Sequence, residues 1–176
     1  MHTHAAYRIA KAVAARSGAA LRFNFRGVGR SAGAYDQGRG EADDARAALD
    51  WLAREKPGVP LLSCGFSFGA WMAVVAGGED PRVRGLLLAG VALRAEGVED
   101  FRETGRLRQV DKPVAVVQAE RDAFAAPAEI EDALRGSRGP RRLTAVPGAT
   151  HLFVEDLPGL QREAEAALAW LLGEAP

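Results

Sequence analysis

Two stretches of this chain, Gly85-Leu86-Leu87-Leu88-Ala89-Gly90-Val91 and Pro113-Val114-Ala115-Val116-Val117-Gln118, are apolar almost without a break and too short for helices. Successive side chains of a strand point to opposite faces, so a strand that is apolar at every position is buried on both. That pattern calls for a parallel sheet covered by helices above and below. Further strands are expected at Leu21-Arg22-Phe23-Asn24-Phe25, over residues 61–66 and over residues 141–146. Helical periodicity falls between them, over residues 3–17, 41–56, 67–76, 127–135 and 158–172. The first helix should turn Ala6, Ile9, Ala10 and Val13 inward, and the second Ala45, Ala48, Leu49 and Leu52. Arg46/Asp50 and Asp50/Arg54 sit at four-residue spacing on the second helix's exposed face. Gly18, Pro57 and Gly77-Gly78 are the expected stops. The fold class is therefore α/β, a doubly wound and mostly parallel sheet with helices on both faces, built as one domain over residues 1–176.

Composition narrows the partners. With 23 basic and 23 acidic residues the formal net charge is zero, which points away from nucleic acid and anionic membranes. No apolar run approaches the ~18–20 residues that span a bilayer. The start, Met1-His2-Thr3-His4-Ala5, has neither the basic nor the apolar region of a secretion signal. Cys64 is the single cysteine, so neither an internal disulfide nor a cysteine metal cage is available. A cytoplasmic protein with no cofactor and no metal is expected. His2 and His4 have ligand-like spacing but no acidic or cysteine neighbour, and read as helix-start residues.

In an open parallel sheet, sites form at the carboxyl ends of strands. Three ends carry chemistry. Gly65-Phe66-Ser67-Phe68-Gly69 joins an expected strand to an expected helix, a turn sharp enough to expose the serine, and both glycines are expected there because a Cβ would clash. Glu120-Arg121-Asp122 follows the strand ending near Gln118. Pro147-Gly148-Ala149-Thr150-His151 follows the last strand. Serine, acid and histidine then take the roles of nucleophile (Ser67), orienting acid (Asp122) and general base and acid (His151), with Glu120 the alternative acid. Phe68 supplies a backbone amide for an oxyanion. Phe66, Phe68, Phe124, Leu152 and Phe153 neighbour these residues and are candidate walls for an acyl substrate. Gly27-Val28-Gly29-Arg30-Ser31-Ala32 matches a permissive dinucleotide fingerprint, yet loop-like sequence follows it where a helix is required. A tight structural loop, stiffened by Arg26 and Ser31, is the better reading.

Ser67, Asp122 and His151 in this chain order, on this strand pattern, resemble the α/β-hydrolase superfamily. Residues 23–36, Phe23-Asn24-Phe25-Arg26-Gly27-Val28-Gly29-Arg30-Ser31 and Ala32-Gly33-Ala34-Tyr35-Asp36, resemble the loop of a small lidless bacterial branch, distantly similar to dienelactone hydrolases and prolyl oligopeptidases. The resemblance covers nearly the whole chain. It implies a serine hydrolase of esters, thioesters or related carbonyl compounds, with a small-molecule acyl substrate, or an acyltransferase running through the same acyl-enzyme. Ala119 stands where the family has glycine before its acid, while Pro127 fits. The resemblance also implies upstream strands and a His-Gly loop giving a second oxyanion amide, so Met1 looks like an internal methionine of a longer frame. Without that strand, residues 21–25 and 61–66 must pair directly or leave ladder groups open, and a slower, less stable enzyme is expected. The alternative is a catalytically weak or inactive binding module. About twenty residues between Val91 and Lys112 leave no room for a substantial helical lid.

Overall fold

The computed structural model describes residues 3–17, 19–94 and 104–173. Four strands, β1 (Leu61–Phe66), β2 (Val83–Ala89), β3 (Val114–Ala119) and β4 (Arg141–Val146), form a parallel sheet in the order β1-β2-β3-β4. Helices α1 (His4–Ser17) and α2 (Arg39–Glu55) precede it. Helices α3 (Phe68–Glu79), α4 (Thr104–Gln109) and α5 (Pro127–Leu134) join successive strands, and α6 (Leu157–Leu172) ends the described chain.

Strand periodicity divides the core in two. Leu86, Leu88, Val114 and Val116 face one cluster with α2, α3, α4 and α5, while Leu87, Ala89, Ala115 and Val117 face the other with α1 and α6. Both faces are buried, which is why these strands read as continuous apolar runs. Helix α3 is buried nearly all round, from Ala70 to Gly77. It runs through the expected stop at Gly77-Gly78 to Glu79. There, Gly77 lets the helix lie against Ser63 and Leu86, with an added Cβ meeting Ser63 Cβ at 2.4 Å. Gly77 is thus a close-packing residue rather than a terminator.

Three expectations are corrected at the front of the chain. Residues 21–25 form no strand. Among the described residues strand β1 pairs only with β2, and an apolar cleft of about 230 Å³ is lined by β1 on one side and by Ala19–Phe23 and Phe25 on another, with α1 and α2 as further walls. An extended segment becomes a strand only where a ladder partner lies about 4.8 Å away. Here the cleft stands in that place. Helix α1 is rotated from its expected orientation: Ala5, Ile9 and Ala12 are buried, packing with α6 residues such as Leu160 and Ala164, while Ala6, Ala10 and Val13 line the cleft. In place of the expected Arg46/Asp50 and Asp50/Arg54 pairs, Arg46 reaches Asp43 one turn back and Glu79 across to α3, and Asp50 pairs with Arg82.

Loop 26–38 is the tight structure expected of it. Arg26 grips Asp44 through Nε and Nη2, and its backbone N–H donates to the same carboxylate at 2.8 Å. The Ser31 hydroxyl donates to the Asn24 carbonyl. Buried Glu41 accepts from the amides of Asp36 and Gly38, closing the start of α2. No dinucleotide-type helix opens after Gly29. Of the segment considered for a lid, α4 packs Leu107 into the core, and residues 95–103 lie outside the described residues.

Candidate active site

The turn between β1 and α3 is held by the ladder on one side and the helix on the other. The Ser67 amide donates to Ala89 O at 3.0 Å, extending the β1–β2 pairing by one bond, and the Ser67 carbonyl accepts from Ala70 N as α3 begins. Between these bonds Ser67 is forced to φ 54° and ψ −119°. A non-glycine residue there costs about 1–3 kcal/mol, so the surrounding packing must impose it. The two motif glycines play unequal parts. A Cβ on Gly65 would lie 2.0 Å from Gly69 O and 2.6 Å from Ala70 N, whereas a Cβ on Gly69 would meet nothing within 4 Å. The expected clash at Gly69 is absent; only Gly65 is required by sterics.

The three sequence-derived residues meet at the carboxyl edge of the sheet. His151 Nε2 lies 2.9 Å from Ser67 Oγ, and His151 Nδ1 lies 2.8 Å from Asp122 Oδ2. The Asp122 side chain is fully buried and that of His151 is 13% exposed, so the serine end faces outward. A buried acceptor-only carboxylate must be met by donors. Asp122 Oδ1 accepts from Phe124 N at 2.9 Å, and Oδ2 accepts from Gln118 Nε2 at 3.0 Å as well as facing His151. Glu120, the alternative acid, does not touch His151. It accepts from Gly148 N at 2.6 Å, while Arg121 donates to the Gly148 carbonyl, fastening the acid turn to the histidine loop. Thr150 is held in turn by Glu155. Those bonds from Thr150 lower the Glu155 carboxyl below the usual carboxylate range. Exposed Arg94 pairs with Glu129 at the rim, a contact that raises the guanidinium and lowers the carboxyl from their ordinary values.

Aromatic rings surround the imidazole. Phe124 stands edge-on to His151 at 4.6 Å, and Phe66 is tilted against it at 5.2 Å. Leu152 is exposed beside them. Phe153 does not join this wall: it is fully buried behind Phe66, at φ 57°, and forms part of the core with α6. The Phe68 ring contacts Phe25 at 5.6 Å and Tyr35 at 6.0 Å, placing loop 26–38 on the rim. Tyr35 and Gln118 were not singled out in the sequence. Gln118 had a readable signal, being the one polar side chain in the apolar run of β3. Tyr35 had none, because its position depends on how a loop folds back.

Among the described residues no group of histidine, cysteine and acidic side chains could hold a metal, and no helix is long and apolar enough to cross a membrane. Cys64 is half-buried next to the second core cluster, and burial pushes its thiol up to about 12.

Solved structures share this fold. An Agrobacterium tumefaciens protein described as a putative α/β hydrolase superposes with a TM-score of 0.84 at 27% identity, covering 98% of this chain and 79% of its own. A lidless α/β serine hydrolase from Xanthomonas campestris gives 0.81 at 28% identity, covering 100% of this chain and 77% of its own. An uncharacterized Rickettsia prowazekii protein is 36% identical over 113 residues, 64% of this chain, and the chain spans about half of that relative's length (46%). The model of the alpha/beta hydrolase domain matches residues 1–166. The chain belongs to the α/β-hydrolase family.

Proposed function

We propose that this chain is a serine hydrolase of esters, thioesters or related carbonyl compounds, working through an acyl-enzyme. The observation that carries the reading is the unbroken hydrogen-bonded series Asp122–His151–Ser67, at 2.8 and 2.9 Å, ending on a serine held in a strained turn. The acid is buried and ionised Asp122 can only accept, so the neutral ring carries its proton on Nδ1 and offers the Nε2 lone pair to the Ser67 hydroxyl. As Ser67 Oγ attacks the carbonyl carbon, its proton passes to Nε2. The imidazolium that results lies against the Asp122 carboxylate, and it returns the proton to the leaving group. The carbonyl oxygen becomes an oxyanion beside the first turn of α3, where the Phe68 amide and the helix N-terminus favour negative charge. Water, activated by the same imidazole, then releases the acid. Passing the acyl group to another acceptor would use the same first half.

Phe66 and Phe124 pack against His151, and Leu152 is exposed next to it in the chain, apolar side chains that suit small or extended acyl groups. A fluorophosphonate probe tests the reading. Stoichiometric labelling that disappears in Ser67→Ala, together with turnover of p-nitrophenyl esters, is the expected result. A folded wild-type protein that neither labels nor turns over an ester would instead make the chain a hydrolase-fold binding module. The substrate, the cytoplasmic setting and the freedom from cofactors belong to this proposal.

A further inference from the structure

We propose that Gln118 is a positioning residue for this site, holding the Asp122 carboxylate in the orientation that His151 requires. The inference rests on the serine-hydrolase reading above. Gln118 is fully buried at the end of β3, where every neighbouring strand position is apolar. A buried amide is costly unless its hydrogen bonds are made. All of its bonds go to strand-end segments around the site: Oε1 accepts from Val91 N at 2.9 Å, and Nε2 lies 2.9 Å from Ala125 O, 3.0 Å from Asp122 Oδ2 and 3.2 Å from Val91 O.

Those partners fix which way the amide points. Rotating it by 180° would set Oε1 against three oxygens and the NH2 against an N–H. Gln118 therefore turns its NH2, not its oxygen, toward Asp122, and of the three oxygens around it a carboxylate is the strongest acceptor. The NH2 meets Oδ2, the same oxygen that faces His151 Nδ1, while Phe124 N holds Oδ1. Without Gln118, the side-chain partner left on Oδ2 among the described residues is the imidazole itself. One end of the carboxylate would stay anchored, and the end that directs His151 would not.

The other charged groups near Asp122 are already engaged. Arg94, from the loop after β2, pairs with Glu129 of α5, and Glu120 and Arg121 both bind Gly148. Glu155 is bound to Thr150 on the histidine loop. None replaces the amide donor.

Two variants test this. Gln118→Met keeps the length and removes the donor, and should lower kcat by about 10- to 100-fold with KM little changed, as for loss of one hydrogen bond to a charged group. Gln118→Glu places a second carboxyl against Asp122. Two such groups share one proton at low pH and repel once both ionise. Its rate relative to wild type should therefore be highest near pH 5 and fall about tenfold by pH 8. Wild-type kcat in both variants, with a lower Tm and a pH-independent ratio, would reduce Gln118 to a fold clamp and overturn the proposal. If neither variant folds, the intact protein still decides. With 15N-labelled glutamine, the Gln118 side-chain amide resonance should move when Ser67 is phosphonylated, while those of Gln37, Gln109 and Gln161 stay put. An unmoved Gln118 resonance overturns the positioning role. Absence of any Ser67 labelling in the wild type overturns the parent reading as well, so the two failures are distinguishable.

Discussion

Replacing Gly65 by alanine should damage the site far more than replacing Gly69, although the G-x-S-x-G pattern treats them alike. At Gly65 the new Cβ would sit 2.0 Å from Gly69 O, 2.3 Å from Gly69 C and 2.6 Å from Ala70 N. Carbon does not approach backbone closer than about 3.0 Å, so the first turn of α3 must retreat from β1 by about 1 Å. Overpacking of that size costs about 1–3 kcal/mol, or roughly 2–12 °C in Tm for a domain of this length. The functional loss is steeper. Ser67 lies between the two clashing segments, and its 2.9 Å bond to His151 lengthens with the retreat. A misplacement of about 1 Å in a reacting group can cost about 10²-fold. Gly69→Ala meets nothing within 4 Å and lies inside α3, so it should leave labelling unchanged and raise stability by about 0.5–1 kcal/mol. Thermal melts and the second-order rate of fluorophosphonate labelling read both effects. A Gly65→Ala protein with wild-type Tm and labelling rate, or a Gly69→Ala protein without labelling, would refute the steric argument.

Other expectations follow from single contacts. Arg26 hydrogen-bonds Asp44 and holds its carboxyl below the usual carboxylate range. The unfolded chain then binds more protons than the fold near pH 4, so this pair stabilises fully above about pH 5 and is lost as pH falls through the lowered value. Urea melts should show the wild type's advantage over Asp44→Asn shrinking below about pH 4; an advantage that grows there would contradict the ion pair. Trp71 donates from Nε1 to Ala92 O at 2.9 Å inside the core, so Trp71→Phe strands a buried carbonyl and should cost about 1–3 kcal/mol by chemical denaturation. Ala48 lines the cleft beside β1, so Ala48→Leu should fill apolar space and raise Tm by a few degrees, at about 0.8 kcal/mol per buried methylene. An unchanged or lower Tm would show that the cleft does not accept the added side chain.

How legible each part was depended on whether its cause is local. Residues 141–146 were read as a strand and form β4 over those positions, because strand patterning is written in consecutive residues. The runs at β2 and β3 announced burial on both faces for the same reason. Residues 21–25 carry comparable patterning and make no strand, because pairing needs a neighbour that local sequence does not contain. Ser67, Asp122 and His151 were visible as types at strand ends, and Asp122 was preferred there to Glu120, but the contacts that part the two carboxylates were not visible. Those contacts follow from a turn in which Glu120 accepts from Gly148 N and Asp122 lies inward against His151.

By itself, the sequence determined that this chain builds a parallel sheet between helices and carries a serine, an acid and a histidine past three strand ends. Those are matters of periodicity, turn residues and chain order. Only the tertiary structure decided that Gly65 alone is indispensable to the turn, that Phe153 belongs to the core, that the outer edge of β1 faces an apolar cleft, and that Gln118 holds Asp122. Each of these depends on distances in three dimensions, some across a single turn and some between distant segments, which packing sets and local pattern does not encode.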